Sequence, residues 1–124
     1  MKFAEDPIVD LAFALTMWEW EHPAKVVVVA EHREWDRWIR QALLDRFGPN
    51  VESVSKSSGR EQMTLHDGAT IRLVSPKSVI GVRGMTFDIV WLACVPSSDV
   101  VDEARLILHY SQAQTVPADE RIWW

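Results

Sequence analysis

The sequence predicts an α/β fold: a single three-layer domain with a mainly parallel sheet, one β-hairpin, and helices on both faces. Three observations lead there. Helical and extended patterns alternate along the 124 residues. The run Val26 to Val29 is unbroken and β-branched, the mark of a strand covered on both faces. An Asp67-Gly68 pair joins two short alternating stretches, as in a hairpin.

The first element is a helix. Asp6 is placed to cap it and Pro7 suits its first position. Ile8, Leu11, Ala12, Leu15 and Trp18 recur at helical intervals, and Val9, Phe13 and Trp20 make it apolar around much of its circumference, so it is expected to be well buried. A break at His22-Pro23 precedes the strand KVVVV. The second helix carries Trp35, Trp38, Ile39, Ala42, Leu43 and Phe47 at helical spacing and stops at Gly48-Pro49. NVESVSK reads as a short strand, followed by the hairpin with Met63 and Leu65 before the turn and Ile71 and Leu73 after it. A loop then leads to the strand FDIVWLACV. Ser97 and Ser98 can cap the last helix, whose Asp99, Asp102 and Glu103 suit the positive end of its dipole and whose Val100, Val101, Ala104, Ile107 and Leu108 form a buried stripe. The division expected is a domain over 1–114 and a C-terminal tail over 115–124.

Composition narrows the functional classes. With 48% hydrophobic and 25% charged residues the chain has globular composition, and no apolar run approaches a membrane span. Glu5 and Asp6 precede the first apolar stretch and no small-residue cleavage site follows, so a cytoplasmic location is expected. One cysteine excludes an internal disulfide and a cysteine-cluster zinc site, and four dispersed histidines form no i, i+4 pair. A net charge of −5 opposes general attraction to nucleic acid, but Lys56, Arg60, Arg72, Lys77 and Arg83 outnumber the acids locally and offer a basic face. Seven tryptophans are more than a small core encloses, and exposed ones are common interface anchors. Trp35, Trp38 and Trp91 are expected in or against the core.

The order of elements, with the residues LHDGATIRLVS and GVRGMTFDIVWL, resembles the P-loop ATPase core of phage large terminases and related helicase-like proteins. That resemblance implies a glycine-rich phosphate loop before the first helix, and a strand ending in an Asp-Glu pair that holds magnesium and activates water. MKFAEDP stands where the loop would be, with no glycine and no lysine-hydroxyl pair, and its acids repel phosphate. Ala93 and Cys94 stand at the degenerate Walker B positions, where neither supplies the oxygen ligand magnesium needs. The chain is therefore expected to be no enzyme, to use no cofactor or metal, and to act by protein-protein binding or self-association through Trp18, Trp20, Ile122, Trp123 and Trp124. One alternative is a nucleic-acid-binding accessory protein using the five basic residues. A second is a residual ATPase that needs a partner chain.

Overall fold

In the computed structural model the described residues are 6–18, 20, 22–55, 61–79, 87–93, 97–109 and 121–123. Helix α1 spans Pro7–Met17, where Asp6 Oδ1 accepts from the backbone N–H groups of Ile8 (3.1 Å) and Val9 (3.2 Å). These bonds satisfy two of the donors that a helix start leaves free. Trp18 is already extended and ends the helix.

Strand β1 (Lys25–Val29) follows, then a helical run over residues 32–47, α2. Within α2, Trp35–Ile39 is a π segment in which Arg40 N–H donates to the Trp35 carbonyl, one residue further back than in an α-helix. Gly48, at φ +24°, ends the run. Strand β2 is Val51–Ser55, β3 is Gln62–Leu65, β4 is Thr70–Val74 and β5 is Ile89–Leu92. Helix α3 covers Ser98–His109, and β6 is Ile122–Trp123.

The strands form one sheet in the order β2-β3-β4-β1-β5-β6. β1 lies at its centre, parallel to β4 and to β5, and β5 is parallel to β6. The β2-β3 and β3-β4 pairs are antiparallel, so the predicted α/β sheet is mixed at the hairpin side. Side chains alternate across the sheet as a period of two requires. Val26 and Val28 face one core with Leu11, Ala14, Trp35, Ile39, Leu43, Ile71, Trp91 and Trp123. Val27 and Val29 face the other, with Phe87, Val90, Leu92, Ala104, Leu108 and Ile122. Helices α1 and α2 thus cover one face and α3 covers the other.

The hairpin turn is built locally. Leu65 N–H donates to the Ala69 carbonyl (2.8 Å), Gly68 N–H to the Leu65 carbonyl (2.9 Å), and Ala69 N–H to Asp67 Oδ1 (2.9 Å). Gly68 sits at φ +92°, and a Cβ there would meet Pro23 Cγ at 3.1 Å and Cβ at 3.2 Å. Gly68→Ala is expected to lower unfolding free energy by about 1–2 kcal/mol, because it adds strain in the left-handed region to a close contact. Urea denaturation followed by circular dichroism checks this, and an unchanged midpoint would contradict it.

Two expectations need correction. The first helix is not well buried: Leu11, Ala12 and Ala14 are inside, whereas Val9, Phe13 and Met17 are 45%, 57% and 64% exposed. A helix laid on one face of a sheet covers only the stripe that points down, and nothing among the described residues covers α1 from above. The boundary at 115 also fails at its far end, because Ile122 and Trp123 pair with β5 and belong to the sheet.

Candidate functional site

Three places bring chemically distinctive residues together. At the carboxyl end of the sheet the chain leaves β1 toward α2 on one face and β5 toward α3 on the other, and such divergence opens a crevice between strand ends in α/β sheets. His32 lies there, just past β1. Its Nδ1 is 3.1 Å from Glu61 Oε1 and its Nε2 is 3.2 Å from Asp36 Oδ2, while Asp36 Oδ1 accepts from Arg40 Nη1 at 3.1 Å. Glu61 is buried, and its Oε1 is close enough to His32 for an ion pair but is not aligned for a hydrogen bond. The two ring nitrogens point to opposite carboxylates, so the oxygens do not converge. Among the described residues no group of three or more His, Cys, Asp or Glu is arranged to hold a metal ion. The trio is a clasp between α2 and the approach to β3.

Beside it, Trp38 stands 40% exposed, edge-on to the buried Trp91 with ring centroids 6.1 Å apart. Glu34 Oε2 accepts from both Arg37 Nη2 and Trp38 Nε1 at 2.8 Å, and these bonds hold the Glu34 carboxyl below the ordinary glutamate range. Ala93, at the first Walker B position, follows β5 and gives its N–H to the Val29 carbonyl at 2.9 Å. Cys94 lies outside the described residues. Asp99, Asp102 and Glu103 line a concavity of about 330 Å³ with Pro76, Val79 and Val100. They occupy the first turns of α3, whose start is capped as expected: Ser97 Oγ accepts from Val100 N–H at 3.3 Å.

The amino end of the sheet holds a buried polar cluster. Asp88 is fully buried just before β5, where its Oδ2 accepts from Lys25 N–H (2.8 Å) and lies 3.1 Å from His22 Nε2. Arg121, also buried, donates from Nη1 to the Asp88 carbonyl at 3.0 Å. Burial pulls the Arg121 guanidinium below its ordinary pKa, and the Asp88 charge acts against that pull. This cluster fastens β1, β5 and β6 at one end.

The third place is the outer face of α1. Val9, Phe13 and Met17 recur every four residues and so form one exposed apolar stripe.

The residues expected to bind a partner fare differently from one another. Trp18 and Trp20 are half-buried, with ring centroids 6.1 Å apart, and Trp20 Nε1 donates to the Ala14 carbonyl at 3.1 Å. Trp18 also meets Trp123 edge-on at 6.2 Å. Ile122 and Trp123 are 0% exposed and therefore cannot be surface contacts; pairing with β5 draws them into the core. Trp124 lies outside the described residues. Of the five basic residues, Arg72 is half-buried on β4 and Lys77 is exposed in the turn after it, while Lys56, Arg60 and Arg83 lie outside the described residues.

Sequence reasoning missed the Asp88 cluster, which joins residues far apart in the chain and has no local signal. The α1 stripe did have one: a helix apolar nearly all round, more than a one-sided contact can cover.

Fold and sites together define a small three-layer α/β domain with a mixed, mostly parallel sheet. Comparison with protein-family models, with curated proteins and with solved structures gave no match. Among the described residues no helix is long and apolar enough to cross a membrane.

Proposed function

We propose that this chain is a phage-encoded, non-catalytic relative of the terminase-type ATPase core, and that it works by binding another protein through the outer face of α1. The observation that carries the reading is the stripe of Val9, Phe13 and Met17, three large apolar side chains exposed side by side. Contiguous exposed apolar surface of this kind marks interaction sites on folded proteins. Methionine at its end adapts to varied partner shapes. The contact surface thereby moves from the C-terminal aromatics to the first helix, with Trp18 and Trp20 flanking it.

The non-catalytic part of the reading rests on residue chemistry. Ala93 has no ligand atom where the resemblance requires a magnesium-holding acid, and MKFAEDP, which stands where the resemblance puts the phosphate loop, contains no glycine.

The expected result for a Phe13→Ser/Met17→Ser variant is unchanged circular dichroism, a stability change within about 0.5 kcal/mol, and loss of partner capture or self-association. Affinity capture and sedimentation velocity check it. If the unaltered chain stays a strict monomer and captures no partner, the reading fails.

A further inference from the structure

The geometry points to a binding pocket for an organic cation, an alkylammonium or guanidinium group, at the amino end of the sheet where α1 hands the chain on to β1. It goes beyond the protein-binding reading and does not depend on it. The cavity there is about 330 Å³, large enough for such a group with its surrounding carbons. Leu15, Trp20, Pro23 and Ala24 supply apolar wall, and His22 and Asp67 supply polar edge.

Two features select a cation. The first is Asp67. Its Oδ1 accepts from Ala69 N–H at 2.9 Å, and among the described residues the structure pairs it with no cationic side chain. His22 instead turns its Nε2 to the buried Asp88, 3.1 Å away, so Asp67 is the formal charge on the wall that lacks a counterpart. The second is Trp20. Its indole N–H is anchored on the Ala14 carbonyl at 3.1 Å, which fixes the ring in place at the pocket. An indole face attracts ammonium and guanidinium groups more strongly than other side-chain rings do. An anion would meet the Asp67 charge, and a neutral apolar guest would gain nothing from that exposed carboxylate.

The group can arrive as a free small molecule or on the end of a lysine or arginine side chain, and the test separates these sources. The Trp20 indole N–H resonance, assigned with Trp20→Phe, is followed during titration of the full chain. One arm uses tetramethylammonium and choline, and a second uses N-acetyl-lysine-methylamide and its arginine counterpart. The control is 3,3-dimethylbutan-1-ol, the uncharged isostere of choline.

A saturable shift with at least one cation, and none with the alcohol, is the expected result. The arm that saturates at lower concentration assigns the source. Asp67→Asn keeps the acceptor for Ala69 N–H, and so the turn, and is expected to weaken cation binding about fivefold. Trp20→Phe, read by calorimetry, is expected to weaken it by a similar factor. Absence of saturation with every cation, equal binding of the alcohol, or an unchanged affinity in Asp67→Asn would each overturn the proposal.

Discussion

Trp123→Ala is expected to lower the unfolding free energy by about 3–5 kcal/mol, the range for truncating a fully buried tryptophan. The ring is 0% exposed, meets Trp18 edge-on and sits on a strand paired with β5. Native stabilities run at about 5–15 kcal/mol, so this one change would remove a large share of the total. Urea denaturation followed by far-ultraviolet circular dichroism measures it. The same experiment separates two views of the C-terminal residues. If Trp123 were a surface anchor for a partner, its loss would leave the isolated chain within about 0.5 kcal/mol of the original, as for most surface substitutions.

The second large effect is expected at Asp88. Its carboxylate is fully buried, accepts from Lys25 N–H and contacts His22, while Arg121 donates to the Asp88 backbone carbonyl and feels its charge. Asp88→Ala removes the acceptor of Lys25 N–H and the charge that Arg121 feels, and a buried polar group left unsatisfied costs about 1–3 kcal/mol. Asp88→Asn keeps an acceptor for Lys25 N–H and should lose less. Replacing Arg121 by Met in the Asp88→Asn background also removes the hydrogen bond to the Asp88 carbonyl and should lower stability further. Chemical denaturation of the three variants in parallel gives the comparison. Equal midpoints for Asp88→Ala and the parent chain would show that the cluster contributes nothing to the fold.

How much of this was readable in the residues depended on how local each signal was. The hairpin was, since Asp67 and Gly68 encode their own turn and Met63, Leu65, Ile71 and Leu73 alternate within a few positions of it; all four are buried as expected. The central run Val26 to Val29 also announced its position, because a strand covered on both sides reads as a continuous apolar, β-branched run. The π segment at Trp35–Ile39 left no trace, as shifting one hydrogen-bond register barely alters apolar spacing. β6 is two residues long, too short for any period, and Arg121 beside it reads as a surface cation until Asp88 is found next to it. The strand order is a long-range fact that no local pattern holds. Trp38 marks an intermediate case: its helical spacing with Trp35 and Ile39 put it at the core, but it lies at the edge of that stripe and stays 40% exposed, steadied by Glu34 and Trp91.

The place of β1 in the sheet has a kinetic consequence. Both of its neighbours, β4 and β5, come from later parts of the chain, with the hairpin and a long excursion between. A ribosome delivers this valine-rich strand well before either neighbour exists, and loops that distant close slowly. Until they do, the nascent polypeptide carries a bare valine ribbon with two open edges, the kind of segment that self-associates into aggregates. Refolding yield should therefore fall as protein concentration rises, and chaperones that grip extended apolar stretches should find their foothold there.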